Sequence, residues 1–192
     1  MWPFERGVFR RAALAPSARQ ELRPKATDSV WRWVCPRQIA LDVDAPNKRE
    51  ALAAIARLCG ESHDLPPAPV LRALWRREQA GSTALGNGVA IPHARIVGIE
   101  HPVTLFVRTR LPVAFDASDG RPVSHFYAIL VPMHSDSEAH LMLLARVAEM
   151  FSDPELRVRL TTASTAAVAH SIFADWVVHR MHAPAAQASA RR

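Results

Sequence analysis

The sequence predicts an α/β fold, a mixed β-sheet flanked by helices on both faces, and three observations carry that expectation. Two β-branched and aromatic runs, VTLFVRT at 103–109 and SHFYAILV at 124–131, occupy the middle of the chain between proline and Asp/Gly turns, as strands do. Two amphipathic helical patterns precede them and three more follow. Strands enclosed by helices on both sides in sequence build a sheet with helices packed on its faces.

Each element has its own signal. In NKREALAAIARLCG, Asn47 is positioned as an N-cap with Glu50 three residues on. Leu52, Ile55 and Leu58 then recur at helical spacing, and Gly60 is the expected stop. PPAPVLRALWRREQAG repeats the form, with prolines at its start, Val70, Leu71, Leu74 and Trp75 on one face, and Gly81 at its end. A glycine-rich loop, GSTALGNGVAIPHAR, leads into the first strand run. Between the two runs, VAFDASDGRPV places a turn at Asp119 and Gly120. SDSEAHLMLLARVAEMF opens with a capping-box pattern, Ser135 and Glu138, ahead of a helix bearing Leu141, Leu144, Val147, Ala148 and Phe151. PELRVRL reads as a short helix, and STAAVAHSIFADWV as the last one, with Val168, Ile172 and Trp176 spaced to pack.

At 192 residues the chain has room for one domain with extensions, and 49% hydrophobic with 22% charged residues is ordinary for a globular protein. Residues 1–36 hold four prolines without sustained periodicity and are read as a disordered or loosely ordered N-terminal extension. Residues 37–178 form the domain, and 179–192, ending HAPAAQASARR, form a flexible basic tail. The formal net charge of +6 raises the question of a nucleic acid or membrane partner. The ends account for it: 1–34 carries +4 and 180–192 carries +3, leaving 35–179 at −1. No nucleic-acid partner is therefore expected for the domain. No apolar run has the length of a membrane span, so no integral membrane segment is expected. The Arg-rich start lacks the continuous apolar core of a secretory signal. Two cysteines, Cys35 and Cys59, make neither a disulfide framework nor a zinc site, which suits a reducing, cytoplasmic setting.

The chemistry-bearing residues gather around His93. Glycines at 81–88 permit tight turns and close approach of backbone N–H groups to an anion. Pro92 holds Ile91 extended and stiffens the approach to His93. Arg76 and Arg77 end the second helix, and a guanidinium matches phosphate oxygens in a planar, bidentate way. His140 lies in the first turn of the helix after the second long strand, where anions are favoured. Each part alone has a plain structural reading: a turn, a helix cap, a hydrogen-bonded histidine. No GxxxxGK[ST] loop is present to bind a nucleotide, and no carboxylate cluster to hold magnesium. Neither cofactor nor metal is expected, and any phosphate handled here arrives on another protein.

RREQAGSTALGNGVAIPHAR resembles the block that carries the phosphorylated histidine in enzyme IIA proteins of the phosphoenolpyruvate-dependent phosphotransferase system, mannitol/fructose type, including their nitrogen-regulatory branch. PVAFDASDGRPVSHFYAILVP and EAHLMLLARVAEMFSDPELRVRL resemble two later blocks of the same family, in order and without large gaps. The resemblance implies that His93 is the phosphoacceptor, that His140 is a second active-site histidine bonded to the phosphoryl group, and that Arg77 steadies its charge. Ser82, Thr83, Gly86, Asn87 and Gly88 would surround the phosphate. Asn87 stands where relatives often carry another polar residue, and Ala94 and Arg95 replace a frequent glycine and basic residue.

The resemblance implies phospho-HPr as donor, and a cysteine of an enzyme IIB or regulatory target proteins as the next partner. The lone domain favours a regulatory, nitrogen-type phosphocarrier. A sugar-specific enzyme IIA that feeds a separate enzyme IIB is one alternative. A non-phosphorylated binding module using the same face is another, and nucleic-acid binding through the basic ends is a third. His125, alternating with apolar neighbours, reads as structural. His134 lies in a loop. His63, His101, His170, His179 and His182 show no obvious partner, and Met142 and Met150 read as core or rim.

Overall fold

The computed structural model describes residues 34–182. After a 3₁₀ turn at Pro36–Gln38, the elements in chain order are β1 (Ile39–Val43), α1 (Lys48–His63), α2 (Pro67–Gln79), β2 (Ala84–Gly86), β3 (Val89–Ala90) and β4 (His93–Ile96). β5 (Val103–Val113), β6 (Val123–Pro132), α3 (Ser137–Ser152), α4 (Pro154–Thr162) and α5 (Ala166–His182) complete the chain. One six-stranded mixed sheet runs β1-β5-β6-β3-β2, with β4 also paired to β6. The expected fold class, a mixed sheet with helices on both faces, is the one observed.

Strand alternation divides the core. Leu105, Val107, Phe126, Ala128 and Leu130 face Leu52, Ile55, Cys59, Val70 and Leu74 of α1 and α2. Phe106, Tyr127, Ile129 and Val131 point the other way, toward Leu143, Val147, Phe151, Leu156, Leu160, Ile172 and Phe173 of α3 to α5. β6 is thus buried on both faces, which is why its sequence is a near-continuous apolar run.

The antiparallel hairpin of β5 and β6 is the scaffold for everything that follows. β3 and β4 lie end to end along the free edge of β6, both parallel to it. His93 pairs with Ile129 in that register. Pro92, with no N–H to give, sits in the gap, and its carbonyl accepts from Ile129 N at 2.9 Å.

Several local readings shift. Gly60 does not stop α1; the helix continues to His63 and ends on Asp64, whose φ of 55° is left-handed. α3 is capped by Asp136 rather than Ser135: its carboxylate accepts from the Glu138 and Ala139 amides, whereas Ser135 binds Arg95. The glycine-rich loop contains three short strands, and β1 has no counterpart in the sequence reading. β1 is a five-residue edge strand interrupted by Asp42 at φ 55°, too short and irregular for alternation to reveal. His63 has a partner, Gln38 Nε2 at 2.8 Å.

Val34, within the stretch read as an extension, is buried against the α3 to α5 face, while residues 1–33 lie outside the described residues. α5 extends to His182, into the stretch read as a tail, and 183–192 lie outside the described residues. Among the described residues no helix is long and apolar enough to cross a membrane.

Candidate functional site

Three elements bring the site together. α2 packs against β4, Arg77 lies in the last turn of α2, and β4 begins at His93. α3 follows directly on β6, the strand paired with β4, so His140 in its first turn comes back over the same edge. A cleft of about 680 Å³ opens there, walled by α2 (Pro69, Arg72, Ala73, Arg76, Arg77, Ala80), β4 (His93 to Ile96), Val97, Met133 and His140.

His93 is held at both ring nitrogens. Its Nδ1 lies 2.8 Å from the Ile91 carbonyl, and Arg77 Nε donates to its Nε2 at 2.9 Å. A carbonyl can only accept and a guanidinium can only donate. The ring is therefore neutral, with its proton on Nδ1 and its lone pair on Nε2. Burial, first of all, depresses the His93 pKa below the ordinary histidine value, and the Arg77 charge lowers it further. The Ile91 hydrogen bond and the Glu78 carboxylate pull the other way. The result is an imidazole that stays unprotonated at neutral pH and presents a nucleophilic nitrogen to a cationic neighbour.

Arg77 is itself steadied by its Nη1, which donates to the Gly81 carbonyl at 2.9 Å. Among the described residues its Nη2 has no hydrogen-bond partner, so the outer edge of the guanidinium keeps capacity for an anion. The His140 ring centroid stands 5.5 Å from that of His93, with the planes tilted by 54°. Burial lowers the His140 pKa, and His93, Arg95 and Arg77 lower it further, so this ring too is neutral. Arg95 fixes the approach of α3: Nη1 donates to the Met133 and Ser135 carbonyls and to Ser135 Oγ, and Nη2 to Ser137 Oγ. The cation after the histidine thus acts as a clamp between β4 and the helix that carries His140.

Glu78 is the residue whose part sequence reasoning missed. Only 5% exposed, it turns away from the cleft while its neighbour Arg77 faces it. Oε2 accepts from the Thr83 amide at 3.0 Å and the Thr83 hydroxyl at 2.6 Å. Oε1 takes Lys48 Nζ at 2.8 Å, and that ammonium also meets Asp116 Oδ2 and lies over the Phe115 ring. A buried carboxylate needs such pairing. This one ties the end of α2 to the loop, which sets the Gly81 carbonyl where Arg77 grips it. An acid directly after the arginine pair was the available signal.

The five loop residues lie elsewhere. Asn87 and Gly88, at φ 52° and 78°, make the left-handed turn of a tight hairpin between β2 and β3. Asn87 N donates to Asp119 Oδ2 at 2.7 Å, and a Cβ on Gly86 would stand 3.0 Å from the same oxygen. The Gly88 carbonyl accepts from the Ser124 and His125 amides, and Ser82 Oγ donates to the Phe115 carbonyl. None of Ser82, Thr83, Gly86, Asn87 and Gly88 is in the cleft wall. The structure brings His93, His140 and Arg77 together, and gives the loop's polar groups internal partners.

A neutral histidine thus stands between a guanidinium and a second imidazole in an open cleft, and comparison with known proteins gives the family to which the chain belongs. Residues 34–176 match the family model for the phosphoenolpyruvate-dependent sugar phosphotransferase system, EIIA 2, and the chain belongs to that family. Within it, the chain is similar to nitrogen regulatory proteins. That of Pseudomonas aeruginosa is 36% identical over 141 residues, 73% of this chain and 91% of the relative. That of Escherichia coli K12 is 37% identical over 134 residues, 69% and 82% of the two chains. The crystal structure of nitrogen regulatory protein IIA-Ntr from Neisseria meningitidis superposes with a TM-score of 0.69 at 37% identity, covering 75% of this chain and 98% of that one. Mannitol IIA from Escherichia coli shares the fold, with a TM-score of 0.62 at 18% identity.

Proposed function

We propose that the chain is a histidine phosphocarrier of the nitrogen-regulatory branch, accepting a phosphoryl group from phospho-HPr on Nε2 of His93. The observation that carries this reading is the pair of hydrogen bonds on the His93 ring, which leaves Nε2 as the one nitrogen with a lone pair. Family membership supports phosphotransfer as the chemistry, and relatives named nitrogen regulatory proteins support the regulatory branch.

In the proposed step the Nε2 lone pair attacks phosphorus, and a new P–N bond forms as the donor's P–N bond breaks. The donor imidazole leaves with that electron pair. No proton has to move on His93, because Nδ1–H stays on the Ile91 carbonyl. Arg77 gives up its bond to Nε2 and turns that Nε–H, with the free Nη2, to the phosphoryl oxygens, where charge lies in the transition state. His140, across the cleft, donates to another of those oxygens. The product is a phosphoramidate with high transfer potential, so the step runs in either direction. Ser82, Thr83, Gly86, Asn87 and Gly88 act in this reading as the frame that holds Arg77 and β4.

Incubation with phosphoenolpyruvate, enzyme I and HPr should yield one acid-labile phosphoryl group per chain. His93→Ala should yield none, and full labelling of that variant would overturn the assignment. His140→Ala should still accept phosphate but transfer it about tenfold more slowly.

A further inference from the structure

Both hydrogen bonds on the His93 ring lead back to one buried residue. On the Nδ1 side the acceptor is the Ile91 carbonyl, and the Ile91 amide donates to the Thr83 carbonyl at 2.9 Å. Thr83 is held in turn through its own amide and hydroxyl by Glu78 Oε2. On the Nε2 side the donor is Arg77, the residue before Glu78. Its other anchor is the carbonyl of Gly81, whose amide donates to the Glu78 carbonyl at 3.2 Å.

Glu78 is itself held by Lys48. The 24 basic residues of the chain include only two lysines, Lys25 and Lys48. Lys48 is the first residue of α1, where the helix dipole disfavours a cation, so the helix does not account for it. Its surroundings call for a lysine. Nζ donates to Glu78 Oε1 at 2.8 Å and to Asp116 Oδ2 at 2.7 Å, and stands 4.7 Å from the centroid of the Phe115 ring. A compact ammonium with three diverging donors meets two carboxylates and a ring face in a way the flat fork of a guanidinium does not. Burial works against this charge, but the bonds to Asp116 and Glu78 outweigh it and hold the Lys48 pKa above the ordinary lysine value.

We infer that Lys48 and Glu78 are positioning residues for phosphoryl transfer. Outside the cleft wall and without a hydrogen bond to His93, they hold the Ile91 carbonyl and the Arg77 guanidinium in register on opposite nitrogens of its ring. The inference rests on the phosphocarrier reading and adds what keeps the nucleophile in a single tautomer. The pair acts by geometry and by charge. Glu78 fixes the loop and the end of α2, while its negative charge raises the His93 pKa, and Lys48 offsets that charge.

The test uses the full chain with Lys48→Met, Glu78→Gln and the two combined. The readouts are ring ¹⁵N NMR of unphosphorylated His93 and labelling kinetics with phospho-HPr. Lys48→Met should lower kcat at least about tenfold with KM within about twofold, and its ring should show mixed Nδ1–H and Nε2–H tautomers. The single variants should move the acid limb of the rate profile in opposite directions. In Lys48→Met an uncompensated negative charge moves it to higher pH; in Glu78→Gln an uncompensated positive charge moves it to lower pH. The other charged and titratable groups around His93 stay the same in both: Arg72, Arg76 and Arg77 of α2, Arg95 of β4 and His140 of α3. The combined variant is balanced in charge, and its Gln oxygen still accepts from Thr83, so kcat should return to within about threefold of wild type. General damage to the loop would instead shift both single variants the same way without recovery in the pair, and that result would overturn the inference. A folded Lys48→Met with wild-type kcat and ring shifts would overturn it too. Should Lys48→Met not fold, Glu78→Gln against the combined variant decides: return of the acid limb to its wild-type pH supports the inference, and no return overturns it. A wild-type chain that accepts no phosphate would remove the phosphocarrier reading, while the ring shifts would still decide whether Lys48 and Glu78 hold the His93 tautomer.

Discussion

Two arginine–histidine pairs stand at the sheet, and only one of them lines an open cleft. At the free edge of β6, Arg77 reaches from α2 to His93. On the hairpin, Arg108 of β5 stands opposite His125 of β6. Both histidines have depressed pKa values with burial as the leading cause and an arginine contributing. The difference lies in what each group has left over. Arg108 gives Nη1 to the carbonyls of Leu160, Thr161 and Ala163 and Nη2 to Asp42, closing the C-terminal end of α4 onto the sheet. His125 is 4% exposed, stacked on Phe106, with Thr161 Oγ1 against its Nε2. Arg77 gives Nε to the His93 Nε2 lone pair and Nη1 to the Gly81 carbonyl, and keeps Nη2 for the cleft that both side chains line. Identical residue types are thus closed into the fold at one place and set in an open cleft at the other.

Breaking each arginine should separate these roles. Arg77→Met is expected to lower kcat for phosphoryl transfer by about 10²-fold, since a transition-state donor is lost. Removing that charge also raises the His93 pKa, so the rate should begin to fall at a higher pH than in wild type as the solution is acidified. Arg108→Met should leave transfer near wild type at permissive temperature and cost about 2–4 kcal/mol of stability, read by urea unfolding, because three carbonyls and Asp42 lose their donor. Equal losses of transfer in the two variants would erase the distinction.

The buried histidine supplies the next effect, on stability. Unfolded, a histidine titrates near 6.5; in the fold His125 titrates at about 4. Between those values the unfolded chain binds a proton that the folded chain does not. Stability from this group is thus present above pH 6.5, declines as pH falls toward 4, and levels off below it, by about 3 kcal/mol in all. His63, His93 and His140 are displaced in the same direction and add to the slope. His125→Gln should flatten the pH dependence of urea midpoints between 7 and 4, whereas His93→Ala should flatten it less. The smallest effect belongs to the loop. Asn87→Gly keeps the left-handed turn and should change phosphoryl acceptance less than about twofold; a loss near that of Arg77→Met would put the loop back at the phosphate.

The sequence made the reactive side of this contrast more legible than the structural side. Long buried strands and amphipathic helices announce themselves through alternation and 3.6-residue spacing, so the layers of the fold were readable. His93, His140 and Arg77 stood out because a proline-held histidine, a helix-end arginine and a first-turn histidine are conspicuous at strand and helix boundaries. What escaped was set by tertiary contact. β3 and β4 are too short for periodicity, and become strands because β6 offers them an edge. Ser135 has the pattern of a cap, yet Arg95 claims it and Asp136 takes the helix. The partner of Glu78 is Lys48, thirty residues earlier, and no local spacing points to it. The loop's glycines correctly signalled left-handed backbone, but that the Asn87 amide between them meets Asp119 depends on a turn 32 residues further along the chain.

If the two hydrogen bonds on the His93 ring decide where a phosphoryl group goes, its destination is Nε2. The direct measurement is ¹⁵N and ³¹P NMR of the ring-labelled chain, before and after incubation with phosphoenolpyruvate, enzyme I and HPr. The neutral Nδ1–H tautomer is expected beforehand and a phosphoryl group on Nε2 of His93 afterwards. Phosphorylation at Nδ1, or at another histidine while His93 stays free, would contradict it.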